Sequence, residues 1–410
     1  MLSVEEALER VLAAVPVLGS EVVELGAALG RVLAEPIVAG RDLPPWDNSS
    51  MDGYALRAED TTGASGERPA RLRVVGAVPA GAVANRAVGP GEAYRILTGA
   101  PMPGGADAVV PQEDVGRESG LVLVSRAVER GAFVRPRGED IVSGETAIES
   151  GTVLRPAALG VLAALGRPVV RVYQRPRVAI LSTGDELVDL DTVPGPGQIA
   201  NSNTYTLAAL VREAGGIPVV LGIARDAPED LKERFGWGTA ADVLVSSAGV
   251  SVGDRDLVRD VMAALGAELD FWKVSMRPGK PLTFGRLGGR PFFGLPGNPV
   301  SSMVTFELFV RPTLRKMGGH AALQRPRLRA RALEAIDNPG ARRGYLRVRL
   351  VPEGAHIRAT PTGEQGSAIL RSMLLADGLA VVPPDTRVAP GQEVEVILLH
   401  SDAVSTFYDI

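Results

Sequence analysis

The chain has 410 residues, of which 45% are apolar and 22% charged, with a net charge of −4 and no cysteine. Such a length predicts about two to four domains with sizeable cores, and the charge balance lacks the cationic excess of a polyanion binder, so nucleic acid is not expected as a partner. Disulfides, thiolate metal sites and cysteine nucleophiles are excluded, and no run of about 18 apolar residues reads as a membrane span.

The opening MLSVEEALERVLAAV is acidic and helix-like rather than a basic leader, which points to a cytoplasmic protein. Residues 3–15 and 20–35 are predicted as helices, with Val4, Ala7, Leu8, Val11 and Leu12 forming an apolar stripe on the first. The loop RDLPPWDNSSMDGYALRAED breaks that pattern. From residue 53 to 150 short apolar alternations separated by glycine and proline clusters predict a β-rich module, and RPAALGVLAALG at 155–166 returns to helix. This order predicts a discontinuous helical domain, 1–45 and 141–175, around an inserted β-rich domain at 46–140.

Residues 176–322 have a βα rhythm. Val178–Leu181 reads as a strand ending in STGDEL (182–187); NSNTYTLAALVREAGG reads as a helix with Asn203 as N-cap and Gly215 as stop; Ile217–Leu221 resumes strand. RDAPEDLKERF offers Asp226 and Glu229 at capping-box spacing, and Asp242–Ser246 is the next strand, followed by SSAGVSVGDRD (246–256) and a helix carrying Leu257, Val261 and Leu265 on one face. RPGKP (277–281) is a stiff turn. GLPGNPVSS (294–302) is another, placed between an apolar run and a helical stretch, with Ser301 and Ser302 as candidate caps. Together these predict an open, mostly parallel α/β sheet. After Pro326 the period falls to two, with Arg327, Arg329 and Arg331, then Arg347 and Arg349, alternating against apolar residues, so 323–410 reads as a small β-barrel-like domain. The fold class is therefore multidomain, α/β plus β.

In an open α/β sheet a ligand sits beyond the carboxyl ends of the strands. STGDEL, SSAGVSVGDRD and GLPGNPVSS each follow a strand, and their small residues present backbone N–H groups to a phosphate or to the polar edge of a heterocycle. Asp185, Glu186, Asp226, Asp254 and Asp256 stand among those donors and would repel a phosphate unless a cation lies between, for which magnesium is the natural choice. For Asp226 and Asp254 helix capping is the alternative. Strand alternation places Lys273, Ser275 and Arg277 on one side, a cationic patch to which Lys280 adds. No Ser/His/Asp set and no P-loop lysine is present, which leaves positioning and electrostatics as the means of catalysis.

NSSMDGYA (48–55), ILTGAPMPGGADAVV (96–110), RGEDI (137–141), STGDEL, SAGVSVGDRD, RPGKPLTFG and GLPGNPVSS, in this order over nearly the whole chain, resemble the molybdopterin molybdenumtransferases, which include bacterial MoeA proteins and the gephyrin E domain. The resemblance implies a four-part subunit with an inserted β-domain, an α/β molybdopterin-binding domain and a C-terminal β-domain, assembled as an elongated homodimer. It implies hydrolysis of adenylylated molybdopterin with release of AMP while molybdate is installed on the dithiolene, assisted by Mg2+. Functional residues carried onto matching positions are Asp52, Thr98, Asp140, Glu186, Asp226, Asp256, Lys273 and Lys280 as catalytic, with Arg347 and Ser367 matching less closely. Ser182, Thr183, Gly184, Asp185, Ser247, Gly249, Ser251, Gly253, Arg277, Pro296, Gly297, Asn298, Pro299 and Ser367 are expected to bind the pterin, and Asp185, Glu186, Asp254 and Asp256 the metal. The family's cleft shared between subunits would bring Asp52, Thr98 and Asp140 to the partner's α/β domain. An upstream molybdopterin adenylyltransferase is a candidate partner; a related adenylyltransferase or nucleotide hydrolase, or a non-catalytic molybdopterin-binding scaffold, are the rival functions. Two departures stand out: Ala248 where the family typically has glycine, expected to tighten the pterin site, and Arg277 where it often has lysine.

Overall fold

The computed structural model describes residues 1–248, 257–354 and 356–400. The chain divides into two compact units: Met1–Val22, Gly30–Ala34 and Arg171–Ile410 form the first, Val23–Leu29 and Glu35–Val170 the second.

The first unit is built on a six-stranded sheet in the order Ile217–Ala224, Arg177–Thr183, Val243–Ser247, Arg290–Leu295, Thr283–Leu287, Glu268–Phe271. The first four strands are parallel and the last two antiparallel. A parallel sheet must be covered on both faces, which explains the unbroken apolar text of its central strands. Val178, Ile180, Val243, Val245 and Phe293 join one core, shared with the helices Val4–Ala14 and Ser202–Glu213. The intervening Ala179, Leu181, Leu244 and Phe292 join the other, with Leu231 and Phe235 of helix Pro228–Gly238 and Val258 and Val261 of helix Leu257–Ala264. The first helix starts at a capping box, Ser3 with Glu6, and its stripe Val4, Ala7, Leu8 and Val11 lies buried in this core.

The remainder of the unit is a closed five-stranded barrel in which Arg343–Glu353, His356–Pro361, Arg327–Ala332, Glu393–Leu398 and Gly378–Val382 pair in turn, the last closing back on Arg343–Glu353. Its alternation is as expected: Arg327 and Arg329 point outward to Glu395 and Glu393, while Ala330, Ala332, Leu346 and Val348 fill the interior. Arg347 breaks the pattern, being fully buried.

The second unit holds a six-stranded sheet in the order Ala108–Pro111, Gly53–Leu56, Glu92–Ile96, Ala70–Val78, Leu121–Val124, Val115–Glu118. Tyr54, Leu56, Leu72 and Val122 pack on one side of it, and Ala55, Val78, Tyr94 and Val109 on the other. The helix expected over 20–35 is absent. Ser20–Glu24 is a strand of alternating exposure, followed by a 3-10 turn at Leu25–Ala27. The β-branched pair Val22-Val23 favours extended backbone, and Gly30, at φ 75°, stops any helical continuation. Among the described residues no helix is long and apolar enough to cross a membrane.

Candidate functional site

The carboxyl ends of the parallel strands run into three loops, and the start of helix Ser202–Glu213 stands beside them. That helix is capped by Asn201, whose side chain accepts the Thr204 N–H at 3.3 Å, and not by Asn203. Helices Pro228–Gly238 and Pro299–Thr305 begin on a proline, which sets φ for the first turn and makes the preceding residue the cap. The caps are therefore Ala227 and Asn298, and Asp226, Ser301 and Ser302 do not serve.

The loops enclose a cavity of about 590 Å³, within the range that holds a small-molecule ligand. Ser247, Ala248, Pro296, Gly297, Asn298 and Pro299 form part of its wall, Leu187 and Ile199 give it apolar surface, and Glu186 is its one carboxylate among the described residues. The Glu186 side chain folds back over Gly184, whose φ of 139° favours glycine. Asp185 and Glu186 are exposed. The Asp226 N–H donates to Asp185 Oδ1 at 3.2 Å, and partial burial, together with the charges of Asp185 and Glu186, raises the Asp226 carboxyl above its ordinary range.

Beside it lies a second cleft of about 330 Å³, and Pro281, Pro296 and Asn298 line both. The cleft is lined by Arg277, Lys280 and Arg342 with Ser301, Gln365 and Ser367, and among the described residues by no carboxylate. Its far wall is the loop at 363–369, carried by the barrel. Arg347 pins that loop from below: Nη2 donates to the Gly366 carbonyl at 3.0 Å, Nε to Ser372 Oγ at 3.0 Å, and the Arg347 N–H to Gln365 Oε1 at 2.9 Å. Burial, and then the charge of Arg277, lower the Arg347 guanidinium to about 10. From the loop Ser367 reaches the α/β domain, its Oγ accepting from Asn298 Nδ2 at 3.0 Å and its carbonyl from the Val300 N–H at 3.1 Å.

The sequence-predicted residues thus separate into groups. Glu186, Ser247, Pro296, Gly297, Asn298 and Pro299 line the larger cavity, and Arg277, Lys280 and Ser367 the cationic cleft. Ser182 is fully buried and its hydroxyl is engaged by Asn201 and Thr204, at 3.1 and 2.7 Å; Thr183 is buried beside it. Lys273, half-buried, lines neither space, although the next residue, Val274, donates its N–H to the Lys280 carbonyl at 3.1 Å. Gly249, Ser251, Gly253, Asp254 and Asp256 lie outside the described residues. Among the described residues no group of three or more His, Cys, Asp or Glu converges tightly enough to hold a metal ion. Asp52, Thr98 and Asp140 belong to the second unit. There Asp52 Oδ1 accepts both the N–H and the hydroxyl of Thr98, each at 2.7 Å, and these bonds hold its carboxyl below the ordinary range. Asp140 is exposed, its N–H bound to the Leu43 carbonyl at 2.9 Å.

Arg342 and Gln365 were not legible as site residues. Arg342 lies in ARRGYLR just before a strand, with no motif of its own, and Gln365 is brought in only by the closure of the barrel.

Comparison with known proteins agrees with this architecture throughout. Residues 2–166 match the MoeA N-terminal region (domain I and II), 179–316 the probable molybdopterin binding domain, and 329–399 the MoeA C-terminal region (domain IV). A molybdopterin molybdenumtransferase of Nostoc sp. is 42% identical over 93% of this chain and 89% of its own length, and one of Staphylococcus aureus 33% identical over 98% and 96%. The crystal structure of a molybdopterin biosynthesis MoeA protein from Pyrococcus horikosii superposes with a TM-score of 0.83 at 36% identity, covering 98% of this chain and all of that one. With near-complete coverage by such relatives and all three regions matched in order, the chain belongs to the molybdopterin molybdenumtransferase family.

Proposed function

We propose that this protein inserts molybdenum into adenylylated molybdopterin, releasing AMP, as a step of molybdenum cofactor biosynthesis. The observation that carries the reading is the pairing of two spaces with different chemistry across one shared wall: a cavity of mostly small and apolar residues with the Glu186 carboxylate at the strand ends, and a cleft lined by three cations and, among the described residues, no acid. The pterin nucleotide occupies the first and molybdate the second. A dianion there meets Arg277, Lys280 and Arg342, each close charge pair being worth about 4 kcal/mol at the effective dielectric of a protein surface. Ser367 supplies a neutral donor, whereas the Gln365 amide is spent on the Arg347 and Gly363 carbonyls and only shapes the wall. Because Asn298 lines both spaces, the dithiolene of a pterin in the larger one lies next to the oxyanion it is to receive.

Among the described residues Glu186 holds the only negative charge on the pterin cavity wall, and Asp185 and Asp226 crowd the same edge. Partial burial, and then the charges of Asp185 and Glu186, raise the Asp226 carboxyl; a hard, oxygen-ligated cation would relieve the repulsive part, but the described acids do not converge on a metal by themselves, so magnesium would also need Asp254 and Asp256, which the family resemblance assigns to it. Magnesium, when bound, neutralises charge between carboxylate and phosphate; Glu186 and Asp185 orient the groups around it. Following the family's pattern, the protein acts in the cytoplasm as a homodimer in which Asp52, Thr98 and Asp140 serve the partner's site.

The test is incubation of the purified protein with adenylylated molybdopterin, Mg2+ and molybdate, following AMP and molybdenum-loaded cofactor together. Stoichiometric appearance of both supports the reading. AMP without molybdenum insertion would make the protein a nucleotide hydrolase, and neither product would leave it a binding scaffold. Mixing an Asp52→Ala chain with a Glu186→Gln chain should restore part of the activity that each lacks alone, and no restoration would rule out a shared site.

A further inference from the structure

Asn203 stands where the loops of the larger cavity meet. Its Nδ2 donates to Ser247 Oγ at 2.7 Å, at the end of one central strand, and to the Gly297 carbonyl at 2.7 Å, on the loop after the next. Both amide hydrogens are thereby spent on cavity walls, and the residue itself lines the space. Helix formation does not call for this, since Asn201 caps the helix on its own. The two segments it joins are pressed together at the same point. Ala248 has φ 73°, in the left-handed region that residues with a Cβ avoid, and its methyl carbon lies 3.1 Å from where a Cβ on residue 297 would stand. A side chain at residue 297 would force Ala248 to give way by a few tenths of an ångström, so the two segments are closely packed there. A strained contact of this kind persists only where its surroundings hold it.

We infer that Asn203 is a positioning residue for the pterin: its amide staples the Ser247-Ala248 segment to the Gly297 turn, and the distance it fixes sets the width of the pterin cavity. The inference rests on the assignment of the larger cavity to the pterin and of the neighbouring cleft to molybdate. Asn203→Ala removes both donors at a residue that does not itself line the cleft.

The experiment measures the affinity of the full-length protein for molybdopterin alone and for molybdate alone, in the native protein and in Asn203→Ala. Loss of two hydrogen bonds that hold the wall should weaken molybdopterin binding roughly tenfold or more, while molybdate affinity stays within about twofold. In turnover KM for the pterin nucleotide should rise by a similar factor, with kcat at saturation changing less than about threefold. Equal molybdopterin affinity in the two proteins would overturn the inference, and so would parallel loss of both ligands, which marks a merely structural residue. If Asn203→Ala does not fold, Asn203→Leu, which keeps the approximate size and carries neither donor nor charge, is read in the same way. A native protein that binds molybdate but no molybdopterin would instead overturn the cavity assignment itself.

Discussion

Replacing Arg347 by methionine tests how the cationic cleft is held. The side chain is fully buried in the barrel wall and bonds to Gly366 of the 363–369 loop and to Ser372 of the short helix Leu370–Leu374 that follows it, each at 3.0 Å, with its Nη1 unpartnered. A hydrogen bond from a charged donor contributes about 1.5–3 kcal/mol, and methionine gives up both while ending the desolvation of a buried guanidinium, so the net destabilisation should be about 1–3 kcal/mol. For a unit of this size that lowers the thermal midpoint by roughly 2–10 °C. The second effect is specific to the cleft. With its far wall loosened, Ser367 no longer holds position against Asn298, and molybdate affinity should fall about tenfold. At a molybdate concentration of about 100 times the native dissociation constant, binding stabilises the native protein by about 2.7 kcal/mol and the variant by about 1.4 kcal/mol. Scanning calorimetry with and without molybdate reads both quantities on one preparation. A variant that melts with the native protein and gains the same shift from molybdate would refute the claim that Arg347 supports the cleft.

Glu186→Gln keeps the size of the side chain that covers Gly184 but removes the cavity's carboxylate, so folding should change little. Molybdopterin should bind at least as well, and molybdenum insertion should fall by about a hundredfold, as steady-state kinetics beside a binding titration would establish. Lys280→Ala should weaken molybdate binding, with added salt shrinking the difference from the native protein, and identical titrations at low salt would place Lys280 outside the oxyanion site. Asp226, whose carboxyl is raised by burial and by Asp185 and Glu186, favours the folded state in its protonated form; that stability is present below the unfolded pKa and is lost as pH rises through the folded one. Asp226→Asn should therefore match the native protein near pH 3 and exceed it in thermal midpoint near pH 7, and magnesium should narrow the gap at pH 7.

Where local chemistry determines the outcome, the sequence was readable. The apolar runs at 178–181, 243–246 and 291–295 became parallel strands because nothing but a doubly covered sheet accommodates them, and their loops formed one site because parallel strands end on one edge. Helix starts were misplaced by a few residues because Pro228 and Pro299 fix the first turn more firmly than a side-chain oxygen does, and because Asn201 competes with Asn203 two residues later. Residues 20–35 have apolar spacing compatible with a helix, but the Val22-Val23 pair and two glycines outweigh it. The cleft was only half visible. Arg277 and Lys280 announce it in RPGKP, whereas Arg342, Gln365 and the buried Arg347 arrive from the barrel, and no local pattern records that a barrel loop will close over a sheet edge more than 60 residues away.

The division of labour between the two spaces is tested most directly by locating the metal. Crystals of the protein soaked in molybdate, with anomalous data collected at the molybdenum edge, should give one strong peak in the cleft among Arg277, Lys280, Arg342 and Ser367, on the far side of Asn298 from the pterin cavity. Molybdenum in the larger cavity beside Glu186, or none in the cleft at saturating molybdate, would contradict the account.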